Sequence, residues 1–482
     1  MPDHNTTAPD TTTPDLAAPD TGARDLAVQG LAARDTTAPD LVVPEPAVPD
    51  TGARDTAVPD LGIPDTPRDT AARDTATPDT AARSTALLDT TAPDPAPPDG
   101  RPFEGAHQGG ILEPAQQAGI VVAFLVTAAD RPALRRMFQT LTATIRYLVS
   151  GEGAPTGRGS DDGLVSTPYE NGVLGPGTVP DGLTVTVSVG ASLFDDRFGL
   201  ADVKPARLRP MDEFPNDALD PARCDGDLLL QICADHRDTV LHALRILMRA
   251  TRADLQVLWQ MEGFTSPPRP SGTPRNLFGF KDGTANHEFL DRPELLDQLV
   301  WTKAGGDEPD WVTGGSYHVV RLIRMFVEFW DRISINEQQR IFGRDRDTGA
   351  PLSGRPGERV PGQEEFQLPS YYRDAHGNTV PLTAHTRLAN PHDGTADDRR
   401  MLRRGFNYSA GIEPNGQLDM GMIFICFNAD LDRQFVAVQT LLIDEALVDY
   451  ITPFGGGYFF ALPGIQAPND WLGRTLLAST PR

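Results

Sequence analysis

Two stretches of this chain, Gly119 to Phe264 and Ser316 to Pro463, change hydrophobic period in the same order, and that order constrains the fold more than any other feature. The first opens on GIVVAFLVT (119–127), a β-rich apolar run. RPALRRMFQTLTATIRYLV (131–149) follows with apolar residues at helical spacing, Asp130 as N-cap and Pro132 in the first turn. LTVTVSVG (183–190) and DLLLQICAD (227–235) read as strands, RDTVLHALRILMRAT (237–251) as an amphipathic helix, and LQVLWQMEGF (255–264) as a closing strand. The second stretch repeats the series: strand SYHVVRLIRM (316–325), helix INEQQRIFGR (335–344), strands RRGFNYS (403–409) and MGMIFICFN (420–428), helix LDRQFVAVQTLLIDEALVDYI (431–451), strand GGYFFALP (456–463). Each series is β-α-β-β-α-β, the ferredoxin-like motif. The expected class is α+β, with two tandem ferredoxin-like domains at 109–300 and 301–482 and antiparallel sheets facing each other across a cavity.

Nothing before residue 109 fits that pattern. The first 100 residues contain no Phe, Trp, Tyr or Lys and run in degenerate five-residue units such as TTAPD, LAAPD, TGARD and TAVPD. So little bulky apolar surface cannot offset the entropy of ordering a chain, so 1–108 is expected to be a disordered tail. A pentapeptide-repeat solenoid needs a bulky apolar residue at the centre of each unit, where this sequence has Ala, Thr, Val or Gly. Eighteen carboxylates against six arginines give residues 1–100 half of the formal net charge of −24. The remaining acidity argues against nucleic acid as a partner, since phosphate binding needs a basic footprint.

Three cysteines, Cys224, Cys233 and Cys426, show no CxxC spacing and are expected as free thiols in a reducing compartment. MPDHNTTAPD has neither the basic nor the apolar segment of a leader, and no apolar run is long enough to span a bilayer. The expectation is a cytoplasmic protein with no membrane partner. A homo-oligomer is compatible with the sequence, and the tail is free to engage a partner of its own.

Three places carry the residues for chemistry. In NLFGFKDGTAN (276–286), Asp282-Gly283 taken alone reads as a turn dipeptide. The Gly- and Pro-rich insert between residues 345 and 398 is too long for an idle connection and contains His385 in LTAHTRLANPHD. The histidines outside the tail form no HxxxH or HExxH spacing, so multi-histidine zinc or copper is not indicated, but one histidine is enough to hold haem iron. In MLRRGFNYS, Arg403 and Arg404 must point to opposite faces of a strand, so one of them faces inward and needs an anion: Asp282, a haem propionate or a bound peroxide.

GFKDG, followed in order by AHTRLANP, LRRGFNYS, GMIFICFNAD and GGGYFFALPG, resembles the blocks of the dye-decolourising peroxidases, in particular the bacterial Tat-type branch that includes the deferrochelatases. RFGLADVKPARLRPMDEFPND and VEFWDRISINEQQRIFGRDRDTGAPL resemble the same branch, so the likeness runs from about residue 109 to the C-terminus. It implies a haem peroxidase with one haem b per chain in the cavity, reducing hydrogen peroxide and oxidising dyes, phenols or similar one-electron donors. By the same resemblance His385 is the iron ligand, Asp282 the distal acid that shuttles a proton, and Arg403 the distal arginine that stabilises the peroxide anion and the ferryl oxygen. Met422 and Phe424 match apolar residues over the distal haem face, Arg387 and Thr284 propionate contacts, and Gly283 a close approach of backbone to the porphyrin. Asp430 and Asp444 are candidates for a carboxylate behind His385, and Trp330, Trp259 and Tyr408 for relays to the surface. The alternatives are a deferrochelatase and a haem-binding or storage protein without turnover.

Overall fold

The computed structural model describes residues 103–150, 170–175, 180–354 and 362–479; nearly all of the expected disordered tail lies outside the described residues. Nine strands run through it: β1 (Ala118–Val126), β2 (Thr184–Gly190), β3 (Leu228–Ala234), β4 (Leu255–Phe264), β5 (Ser316–Met325), β6 (Leu402–Arg403), β7 (Phe406–Ile412), β8 (Leu418–Asn428) and β9 (Ile451–Ala461). They form one antiparallel sheet in the order β5-β9-β2-β3-β1-β4-β7-β8-β6, and β5 also pairs with β8, so the sheet closes on itself as a barrel. Closure leaves few free edges, the economical solution for a sheet of this size.

Two helices cover the outer face of the first four strands: α1 (Arg131–Ser150) and α2 (Arg237–Thr251). Asp130 caps α1 as expected, its Oδ1 accepting from the amide of Ala133 at 2.7 Å. Leu134, Phe138, Leu141, Ile145 and Leu148 then fall on one stripe and are buried. Because helices cover one side and the barrel interior the other, β1 is buried along almost its whole length, which explains a continuous apolar run rather than an alternating one.

The two halves of the sheet meet at narrow corners, three residue pairs between β2 and β9 and the single pair Phe264–Asn407 between β4 and β7. The space they enclose is filled. Val121, Leu229 and Trp259 from the first half pack with Val320, Ile425 and Phe427 from the second in a continuous apolar core. Two facing sheets around a cavity were expected; the sheets are joined, and their shared interior is too well packed to serve as one. Strand alternation puts the open face elsewhere. Ile423 and Ile425 of β8 point into the barrel and are buried, while Met422 and Phe424 point outward and are only partly buried.

Most expected elements fall within a few residues of the observed ones, with two differences. RRGFNYS is an interrupted strand, β6 and β7 pairing along the same side of β8 with a break at Arg404-Gly405. The helix expected over 431–451 is broken into a π-helical turn (Asp432–Val436), a short α-helix (Ala437–Leu441) and a 3-10 turn (Ala446–Tyr450). No helix among the described residues is long and apolar enough to cross a membrane.

Candidate functional site

The outward face of β6 and β8 forms one wall of the site. Arg403 stands opposite Cys426 in register and so shares the side of Met422 and Phe424. Arg404 turns the other way, is 7% exposed and donates to the carbonyls of Glu113 and Pro114 and to the side chain of Gln116. Both arginines of the pair are therefore engaged, on opposite sides of the sheet.

The Asp282 loop lies against this wall. Its reversal is made by Asn276, whose Oδ1 accepts from the amides of Phe278 (3.1 Å) and Phe280 (3.2 Å), with Gly279 at φ 85°. Asp282 is thus past the reversal, its amide bonded to the Pro274 carbonyl at 2.9 Å and its carboxylate 3.1 Å from the Arg403 guanidinium. Gly283 follows at φ 89°, in the left-handed region, and turns the chain into the 3-10 turn Thr284–Asn286. Asn286 then holds Arg403 by its backbone, the side-chain Oδ1 accepting from the Arg403 amide (3.1 Å) and Nδ2 donating to its carbonyl (2.5 Å). Asn407 supports the same loop from β7 by donating to the Arg275 carbonyl at 3.0 Å.

His385 opens the short helix His385–Ala389 of the insert. Its Nδ1 pairs with Glu445 Oε2 at 2.6 Å, and Glu445 is 4% exposed. Burial by itself would lower the imidazole pKa. The charge and hydrogen bond of Glu445 outweigh it and raise the pKa, Arg403 opposing and Asp282 assisting. The His385 ring is 25% accessible, and the charges of both Asp282 and Arg403 reach it. Glu445 fills the position for which Asp430 and Asp444 were candidates. Asp430 caps the following turn instead, accepting from the Arg433 amide at 2.9 Å, and it pairs with Arg207 at 3.4 Å.

The remaining expected residues divide. Thr284 stands half-buried at the start of its turn beside Gly283. Arg387 is tied into the insert: its Nη1 donates to the carbonyls of Asp374 and Val380, each at 2.9 Å, and the guanidinium lies 5.0 Å above the Tyr371 ring. Trp330 belongs to an aromatic cluster with Phe342 (5.7 Å between centroids), and Phe342 in turn meets the His385 ring at 5.9 Å. Trp259 and Tyr408 lie in the barrel core, on the other side of the sheet.

Three side chains join the site that the sequence did not single out: Glu445, Asn286 and Arg344. Burial holds the Arg344 guanidinium below its ordinary pKa, with Tyr371 opposing and the like charge of Arg403 reinforcing the effect. A second guanidinium therefore lies within reach of the charge of Arg403. Chemically, the arrangement offers a histidine made more basic from behind, a carboxylate–guanidinium pair across from it, and a partly exposed apolar strand face between.

Comparison with known proteins places this chain in a family. The model described as Dyp-type peroxidase, N-terminal, matches residues 108–265, and that described as Dyp-type peroxidase, C-terminal, matches 273–466. A deferrochelatase of Escherichia coli O157:H7 is 48% identical over 379 residues, covering 78% of this chain and 86% of that protein, and one of Yersinia pestis is 48% identical with 84% of its length covered. Among solved structures, ferric DtpA from Streptomyces lividans is similar with a TM-score of 0.68 and 34% identity, covering 79% of this chain and 98% of that one. A DyP-type peroxidase from Cellulomonas bogoriensis has a TM-score of 0.67 and 34% identity at the same coverage.

Proposed function

The chain belongs to the Dyp-type peroxidase family, and from that premise we propose that it binds haem b on the outward face of β8, with His385 as iron ligand and Asp282 and Arg403 across from it. The observation that carries the proposal is the His385–Glu445 pair. Nδ1 is occupied by a buried carboxylate, which leaves Nε2 as the nitrogen able to ligate, and a carboxylate behind a ligating histidine fixes the tautomer and strengthens the bond. The donor set fits the group in two further respects. Met422 and Phe424 offer a partly exposed apolar face to a flat macrocycle, and Arg344 and Arg403 suit its carboxylates, with Thr284 and Arg387 as further contacts and Gly283 giving close backbone approach.

We assign each half of the chain, 109–300 and 301–482, to a ferredoxin-like unit. The orders β2-β3-β1-β4 and β7-β8-β5-β9 support this, since each half places its elements in the same relative order. The first unit then backs the second, whose outer face carries the site.

Haem, when bound, would supply the redox chemistry for peroxide reduction and for one-electron oxidation of a donor. Asp282 would take a proton from one oxygen of hydrogen peroxide and return it to the other, so that water can leave. Arg403 holds positive charge beside the peroxide anion without exchanging a proton itself. Its ion pair with Asp282 keeps both groups aimed at one point, and Asn286 fixes the backbone from which the arginine reaches. The site is built for hydrogen peroxide with an organic one-electron donor.

An absorption spectrum of haem-supplemented protein before and after one equivalent of peroxide tests the proposal. A Soret band that changes promptly and recovers on adding a phenol is expected, and loss of the prompt change in Arg403→Leu. A Soret band indifferent to peroxide would reject peroxidase turnover. A second reading follows from the relatives named deferrochelatases at 48% identity: iron release leaving the porphyrin intact. Free protoporphyrin accumulating in anaerobic assays would establish it.

A further inference from the structure

The Asp282 loop is tethered from behind by a contact that the catalytic scheme does not use. Lys281 Nζ pairs with the carboxylate of Glu365, and the two side chains are only 7% and 1% exposed. Lys281 is adjacent in sequence to the proposed proton carrier, and Glu365 belongs to the 3-10 turn Glu364–Phe366 of the insert that also carries His385. The same carboxylate accepts from the amide of Thr273 at 2.9 Å, on the segment entering the loop, and Lys281 also donates to the Ser271 carbonyl at 2.9 Å. The next residue of the turn, Phe366, packs its ring 4.6 Å from that of His287, just beyond the loop. The turn thus grips the loop on both sides of Asp282.

We infer that the Lys281–Glu365 pair is the positioning device that aims Asp282 at Arg403, an inference that rests on Asp282 being the proton carrier. The backbone makes such a device necessary. Asp282 sits between Gly279 and Gly283, both at positive φ (85° and 89°), and glycines leave a loop freer to swing than other residues do. Neighbouring residues of an extended segment point to opposite sides, and Lys281 occupies a bridge position paired with Arg275, so anchoring its side chain on one side orients Asp282 on the other. The pocket around the pair is shaped to it. A Cβ at Gly272 would stand 2.0 Å from Glu365 Oε1, and one at Gly349 would stand 2.9 Å from both the Glu365 Cβ and the Lys281 Cδ. Arg344 fixes the turn by donating to the Glu365 carbonyl at 2.9 Å. A buried ion pair contributes little net stability compared with an apolar or neutral replacement, but it does specify one arrangement, which is the requirement here.

The test uses Lys281→Met/Glu365→Gln, which removes both charges together and so leaves no uncompensated ion, in the haem-loaded protein alongside Asp282→Asn. Stopped-flow measurement separates the reaction with hydrogen peroxide from the return of electrons by a phenol. The double variant is expected to slow the peroxide step about tenfold or more, because small misplacements of a catalytic group are costly, and to leave the phenol step unchanged. Hydrogen exchange at the amides of Thr273 and Asp282 should quicken in the same variant, and Lys281→Arg, which keeps the charge, should restore most of the peroxide rate. If Asp282→Asn slows the peroxide step and the double variant does not, the positioning role is overturned while the proton carrier stands. If both steps slow together in the double variant, the pair is merely structural and the inference fails. If Asp282→Asn itself reacts at the wild-type rate, the assignment of the proton carrier fails first and the positioning role with it.

Discussion

Removing His318 should make the protein less sensitive to acid. His318 lies on β5 with no accessible surface, its Nδ1 is 2.9 Å from the Ser188 hydroxyl, its ring stacks on Phe427 at 4.4 Å, and Nε2 has no hydrogen-bond partner in the structure. Burial pulls its pKa from 6.5 down to about 3. Below pH 6.5 the unfolded chain therefore takes up a proton that the native chain refuses until about pH 3. The contribution is fully present above 6.5 and is lost as pH falls through that window, at about 1.4 kcal/mol per pH unit and at most about 5 kcal/mol in all. A total of that size is comparable to the whole stability of many domains, roughly 5–15 kcal/mol. In His318→Phe the Ser188 hydroxyl loses its partner, which costs about 1–3 kcal/mol at every pH. The offset is constant and the slope is the signature. Guanidinium unfolding of both proteins at intervals from about pH 7 to about pH 4.5 should give stabilities that converge as pH falls. Parallel curves would refute the reasoning, because the acid sensitivity would then belong to other groups.

Glu445→Gln replaces an ionic acceptor of His385 Nδ1 by a neutral one and should weaken haem affinity by about 10–100-fold; a Soret titration indistinguishable from wild type would rule out the carboxylate's role. Asp217→Ala leaves the Arg321 guanidinium, 1% exposed and with Nε and Nη1 already without partners, as an isolated buried charge, and should cost about 3–5 kcal/mol by chemical denaturation. Asn286→Ala removes both side-chain bonds to the Arg403 backbone and should lower the rate of reaction with peroxide while leaving haem affinity within about twofold, an outcome that stopped-flow and Soret titration together check.

The sequence displays the strands and the two long helices because each buries a stripe or face that repeats at its own period. It also displays His385, Asp282 and Arg403, since their blocks resemble a family; the structure brings Asp282 and Arg403 into contact and His385 within reach of their charges. Glu445 was hidden for a physical reason. No glycine or proline interrupts residues 431–451, and the apolar spacing runs on, so nothing local marks the end of the helix. The chain nonetheless leaves it at Leu442 (φ −90°, ψ 0°) and is extended at Glu445 (φ −69°, ψ 154°), which lets that side chain reach the imidazole. A tertiary contact across 60 positions decides the conformation there. The acidic pair Asp444-Glu445 in an otherwise apolar run was the available signal, and it points to one of two adjacent carboxylates without saying which. Alternation likewise separates Met422 and Phe424 from Ile423 and Ile425, but only the β5–β8 and β7–β8 pairings say which set faces the barrel.

The narrow corner between β2 and β9 has a consequence for how this protein is made. Ser188 to Gly190 wait for Phe459 to Ala461, so a strand from early in the barrel finds its neighbour only when the last strand arrives. During synthesis the edge of β2 has no partner until residue 461 has left the ribosome, and an unpaired strand edge is a template for association with other chains. The carboxylate behind His385 also arrives late, since Glu445 lies 60 positions further along the chain. A nascent chain stalled before Glu445 therefore has both an unsealed barrel and a His385 without the carboxylate that backs it.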